Sequence, residues 1–266
     1  MLPRLLTLFF AAFLCVSAHG QNRQERGKKL IDEVVAALGG DRFFAMEDRV
    51  ESGRAYSFFR EELSGLSLAT VYTRYLKDPA PGTVGLAERQ SFGKEERSGA
   101  ALFLPDKGYE ITFRGARPYP EERFERWRDS TLQNILYILR MRLNEPGLLF
   151  DAVGADILDN LPVEIVEVTD AENRTVKVWI DRRTKLPVRQ VYYRRDPKTK
   201  ERFEEVTIFS KYRDVGEGVQ WPYNLQRLRD GQQIFQMYAD TVQINQSLKD
   251  ELFTLSPKTK VLKPLK

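Results

Sequence analysis

Histidine and cysteine are almost absent: the sequence has one of each, His19 and Cys15, both within its first twenty residues. That stretch differs from the rest. Arg4 gives a positive start, Leu5 to Val16 is an uncharged apolar run, and Ala18-His19-Gly20 supplies small residues for cleavage. Residues 1–20 therefore read as a secretory signal peptide, which implies export. The run is too short for a bilayer span, which takes ~20 apolar residues. Phe13 and Leu14 precede Cys15, so this cysteine belongs to the discarded segment and is not a lipid anchor.

Removal of that segment would leave Gln21 to Lys266 without cysteine or histidine. Disulfides are then excluded, although an exporting compartment permits them. Zinc sites built on Cys and His go too, as do Ser-His-Asp and Cys-His nucleophiles. No metal and no cofactor is expected. Without Arg4, 41 basic residues face 38 acidic ones, both signs interspersed. Such a weak, mixed balance is no nucleic-acid footprint. It allows transient contact with an anionic membrane surface.

What the sequence has is pattern. Leu30, Ile31, Val34, Val35 and Leu38 form one apolar stripe of a helix over Glu25 to Leu38, stopped by Gly39-Gly40. A period of two follows, predicting strands at Arg54–Phe59, Leu66–Leu76, Leu86–Phe92, Ala100–Leu104 and Tyr109–Phe113. Pro120 then opens a helix expected to run to Asn144. At 100° per residue, Phe124, Trp127, Leu132, Ile135, Ile138 and Leu139 fall on one arc, with Arg128 and Arg142 intruding on it. From Val163 a meander follows: Val163–Val168, Val176–Ile180, Val188–Tyr193, Phe203–Tyr212, Asn224–Leu228 and Gln232–Ala239, with Asp230-Gly231 as a hairpin turn. Neighbours in sequence should pair antiparallel, and a sheet of this many strands must curl or close. The basic tail, 256–266, is expected to be loosely held. Nothing suggests a linker, so residues 21–266 are expected to form a single domain.

Carboxylate pairs such as Glu61-Glu62, Glu95-Glu96, Glu121-Glu122 and Glu204-Glu205 do not make an acid-pair enzyme, because strand neighbours point to opposite faces.

The order of elements resembles the LolA/LolB-like superfamily of periplasmic outer-membrane lipoprotein-sorting proteins. The motifs carrying this lie mainly in the C-terminal third. They are Val176 to Pro187 (VKVWIDRRTKLP), Asp214-Val215-Gly216, Trp221-Pro222, Asp230-Gly231, and the closing Ile244-Asn245, Leu248, Asp250 and Leu252-Phe253. The resemblance implies an α+β, mainly antiparallel fold: a single strongly curved sheet, a half-barrel, with helices covering its concave face. It also implies a non-catalytic periplasmic carrier that holds acyl chains of a lipid or acylated lipoprotein in an apolar cavity. The sequence departs from sorting carriers at Asp78, where they tend to have an arginine before the proline, and in the length around Pro120 to Asn144.

Two readings of the mid-chain helix remain open. In one it is a lid, with Phe124, Trp127, Ile135, Ile138 and Leu139 touching ligand and Arg128 and Arg142 meeting an anionic group. In the other these apolar residues are plain core and the arginines snorkel. Tyr72 and Phe58 are candidate cavity aromatics from the strands. A second functional class also stands: a regulatory or sensor protein gripping an envelope protein through the same face.

Overall fold

A computed structural model describes residues 22–79, 83–96, 99–196 and 198–264. The expected signal peptide, with Cys15 and His19, lies outside the described residues.

Helix α1 spans residues 22–38 and α2 spans Asp41–Phe44. The strands are β1 Asp48–Phe59, β2 Glu62–Tyr75, β3 Leu86–Phe92, β4 Gly99–Leu104, β5 Lys107–Thr112, β6 Gly115–Pro118, β7 Leu149–Leu158, β8 Leu161–Thr169, β9 Thr175–Asp181, β10 Pro187–Arg195, β11 Arg202–Asp214, β12 Gln220–Arg229 and β13 Gln232–Ile244. Between β6 and β7 come α3, Glu121–Leu132, and α4, a short α turn Ile135–Tyr137 that runs into a π turn Ile138–Arg142.

All thirteen strands join one antiparallel sheet in the order β6-β5-β4-β3-β2-β1-β13-β12-β11-β10-β9-β8-β7. Every pairing joins sequence neighbours except at one seam. There β1 meets β13 and ties the N-terminal strands to the C-terminal meander. The pairing jumps from Ser52↔Thr241 to Gly53↔Ala239, so Asp240 bulges out and its carboxylate pairs with Arg54. A bulge adds local twist. Gly53 is what allows the approach: a Cβ there would lie 2.1 Å from the Tyr238 carbonyl oxygen.

The sheet is open yet strongly curved. Ile135 donates its N–H to Gln190 of β10, and two residues later the Tyr137 hydroxyl accepts from the N–H of Gly85, just before β3. In a flat sheet, six spacings of ~4.8 Å would hold β3 and β10 about 29 Å apart. One turn of chain reaches both, so the sheet wraps around α4. The half-barrel expectation holds.

One face of the sheet carries the main core. The α1 stripe, Leu30, Ile31, Val34, Val35 and Leu38, packs there with Ile135, Ile138 and Leu139 of α4 and with Val166, Val178, Ile180 and Phe209 of the strands. The opposite face is covered over β2 to β5. There the chain after β13 lays Leu248, Leu252, Phe253 and Leu255 on Tyr72, Ala87 and Leu102. The Asp48 carboxylate accepts from the N–H groups of Gln246 and Leu248 and fixes the start of that segment. Its end is also tied down: the Ala116 N–H donates to Lys260, and Leu262 donates back to Ala116. This corrects the loosely held tail. Short β6 leaves an open edge, and the basic tail covers it.

The sequence did not predict β6 or β7, and the structure splits the expected Pro120–Asn144 helix. At Asn134 the backbone is extended (φ −78°, ψ 122°), and its side chain accepts from the N–H groups of Leu136 and Tyr137. An asparagine that caps the next turn ends the helix before it.

Adding one methyl at the seam tests its importance. Gly53→Ala is expected to lose at least ~2 kcal/mol, as overpacking against fixed backbone does. A urea midpoint unchanged from wild type would show that the β1–β13 approach is not limiting.

Candidate functional site

Small side chains open a space on the helix-bearing face. Ala55 of β1 stands opposite Met237, and Ala69 of β2 stands opposite Phe92 of β3. With Phe235 they form an apolar cluster separate from the main core. Between the two lies a cavity of ≈ 400 Å³, walled by Ala55, Ala69, Phe92, Leu225, Phe235 and Met237 and covered by Trp127, Leu136 and Tyr137. At ~30 Å³ per group, the share a water occupies, it has room for about a dozen methylene-sized units.

Its polar end is built on Arg49. This side chain is only 7% exposed. It donates to Glu51 (2.6 Å), the Tyr75 hydroxyl (2.5 Å) and Thr73 (3.2 Å), and lies 4.0 Å over the Trp221 ring. Burial pulls the Arg49 pKa down, but Tyr75 and Glu51 outweigh it and the net shift is upward. Burial likewise pushes the Tyr75 phenol up, so it stays a neutral partner. Arg49 is thus a fixed cation at one end of an otherwise apolar space. Glu88 and Gln90 add polarity beside it, and the Trp127 indole N–H donates to Glu88 at 3.4 Å.

Helix α3 is clasped over the cavity by stacked rings. Trp127 lies nearly parallel to Phe103 of β4 (4.7 Å between centres, 8° between planes), and Phe103 stacks in turn on Tyr119. Phe124 tilts against Trp127 at 5.7 Å.

The structure scatters the residues singled out by the helical arc. Trp127 covers the cavity and half-buried Phe124 supports it from behind. Ile135, Ile138 and Leu139 are fully buried in the main core. The break at Asn134 and the π turn after it reset the angular phase. Leu136 and Tyr137 therefore face the cavity where a continuous helix would have placed Ile135, Ile138 and Leu139. Arg128 pairs with Glu125 at 2.6 Å.

Arg142 neither snorkels nor reaches the cavity. It is 6% exposed, pairs with Glu145 (2.5 Å) and Asp170 (3.0 Å), and donates to the Leu132 carbonyl at 2.7 Å. It thus ties the end of α3 to the turn after β8.

Tyr72 lies on the other face. Residues 69, 71, 73 and 75 of β2 line the cavity, so Tyr72 points away by alternation, joins the C-terminal cluster and donates to Glu96 at 2.5 Å. Burial and that carboxylate push its phenol up to about 12. Phe58 is half-buried near the end of β1, after a register shift between Ser57 and Phe58, and does not line the cavity. Sequence reading missed Arg49. The one signal was Arg49 and Glu51 two apart on a strand, a pair that must share a face. Among the described residues no group of three or more acidic, histidine or cysteine side chains could hold a metal ion.

No family model matches the sequence, and no curated protein matches it. Solved structures do share its shape. A DUF1329 family protein from Desulfovibrio piger superposes with a TM-score of 0.60 at 13% identity. A domain named for outer membrane lipoprotein sorting, from Vibrio parahaemolyticus, gives 0.58 at 10%. A LolA superfamily protein from Nitrosomonas europaea gives 0.53 at 11%. Each match covers 86% of this chain and 97% of the other. The chain shares its fold with these three proteins.

The Arg142 network makes a pH prediction. Burial raises the Asp170 pKa, but bonds from Arg142 and Arg174 outweigh it and hold the carboxyl below its usual value. A depressed carboxyl contributes stability above the unfolded carboxylate range, and this is lost as pH falls through the lower folded value. Asp170→Asn is expected to lose on the order of 3 kcal/mol at neutral pH. It should also flatten the acid limb of Tm below the ordinary carboxylate range. Parallel acid limbs in the two proteins would remove Asp170 from this role.

Proposed function

We propose that this chain is a non-catalytic carrier that holds an acyl chain, of a lipid or an acylated lipoprotein, between the curved sheet and α3. The observation that carries this reading is the cavity walled by Ala55, Ala69, Phe235 and Met237. An interior normally packs without such voids, and here two alanines face each other's neighbourhood on adjacent strands with Trp127 as cover. The shared fold with a structure named for lipoprotein sorting supports it.

The physics is burial. About a dozen methylenes at ~0.8 kcal/mol each give on the order of 10 kcal/mol, before the cost of association. No covalent step is needed, and transfer requires only an acceptor that buries the chain as well. Arg49 marks the end at which a polar headgroup or acyl linkage would lie. Entry and exit require α3 to lift, which breaks the Trp127–Phe103 stack but leaves the α4 clamp in place. In this reading residues 1–20 direct export and the carrier works in the periplasm.

A fluorescent fatty-acid titration tests it. Wild type is expected to bind the probe. Trp127→Asp, which removes the cover from a half-exposed position, should weaken binding at least about tenfold, the value of roughly two buried methylenes. The circular dichroism of the sheet should not change. Ala69→Leu, which fills the cavity from the opposite wall, should weaken binding similarly. A wild-type protein that takes up no acyl probe would overturn the carrier reading and turn attention to a protein partner on the same face.

A further inference from the structure

A second concavity, of ≈ 970 Å³, lies apart from the acyl cavity. Its floor is Lys177 and Trp179 of β9 and Arg189, Val191 and Tyr193 of β10, which alternate with the core residues Val176, Val178 and Tyr192. Arg202 and Glu204 of β11 form one side, and the turn after β8 with the end of α3 forms the other.

Arg174 of the groove is ion-paired with Asp170 and Glu172, and Arg194 with Glu205; the groove's other arginines are not. The side chains of Arg189, Arg195 and Arg202 form no ion pair or hydrogen bond among the described residues. Arg195 and Arg202 stand directly opposite each other across β10 and β11, a like-charge pairing that destabilises a sheet. Arg189 and Arg194 each keep a buried Nε–H with no acceptor. Four carboxylates also line the groove. Of these, Glu204 accepts from Tyr193 and Glu172 pairs with Arg174; Asp129 and Glu167 complete the set. Aromatic rings hold two of the cations in place. Arg202 lies 3.7 Å over Tyr193 and Arg189 lies 5.2 Å over Trp179. A guanidinium stacked by its face keeps its in-plane N–H fork free.

We propose that this groove binds a ligand carrying two or more phosphate groups, gripped by the forks of Arg189 and Arg202, with Arg195, directly opposite Arg202, adding positive charge at that end. Phosphate fits because it accepts two parallel N–H bonds from each fork and brings the negative charge the opposed arginines lack. The site is independent of the acyl cavity and of the carrier reading. A soluble phosphate compound and a lipid headgroup present the same oxygens, and the test separates them.

Calorimetric titration of tripolyphosphate into the full chain at low ionic strength tests this. A parallel sedimentation assay uses phosphatidylglycerol vesicles against phosphatidylcholine vesicles. Binding is expected, and Arg189→Gln and Arg202→Gln should each weaken it about tenfold, the usual worth of a hydrogen bond to a charged group. Arg114→Gln, a basic residue on a distant hairpin, should leave it unchanged. Binding of tripolyphosphate alone assigns a soluble ligand, and binding of the anionic vesicles assigns a headgroup. Absence of both, or equal weakening by Arg114→Gln, overturns the proposal. Unchanged circular dichroism in the groove variants separates lost binding from lost folding.

Discussion

The structure depends on one short turn that holds a very wide sheet in a curve. Asn134 caps it, Ile135 bonds to β10, and Tyr137 bonds to the chain entering β3. Thirteen antiparallel strands would otherwise expose a long apolar face. Pinning two strands six places apart to the same turn forces that face inward. The helices then fill most of the hollow but not all. Trp127 and Leu136 stop short of Ala55 and Ala69, and the space left is the cavity.

Polar groups inside the hollow are handled in two ways. Arg142 and Asp170 are locked into a closed network that fastens α3 to the sheet. Arg49 is equally locked, but it lies on the cavity wall, where its partners Glu51, Thr73 and Tyr75 also face the open space. A buried cation with this many hydrogen bonds is expensive to disturb. It therefore sets a rigid polar boundary to the apolar chamber. The same fold puts a different chemistry on its outer face, where stacked arginines line a groove with too few carboxylates to match them.

How far the sequence could be read followed the local physics of each element. The meander from β8 to β13 was legible because alternating residues and short turns, Asp230-Gly231 among them, specify paired strands within a few residues of each other. Helix α1 was legible through a clean stripe of five apolar residues. β6 and β7 were not. β6 is four residues ending in Pro118, which only an edge position tolerates. β7 carries Gly154 at a bulge and exposes Ile157, because an edge strand has little on either side to dictate alternation. In the site, Trp127 was found by its arc, whereas Leu136 and Tyr137 were displaced by a helix break that Asn134 alone announced.

The sequence by itself determined the antiparallel class, the covering helices and the apolar stripe of α1, since each arises from residues near one another in the chain. Only tertiary structure decided which aromatics face the cavity, that Arg49 and not Arg142 marks its polar end, and that β1 must join β13. Those outcomes depend on which strand lies beside which and on the phase of a broken helix. They are set by contacts between residues up to about two hundred positions apart, such as Asp48 with Leu248, which no local pattern encodes.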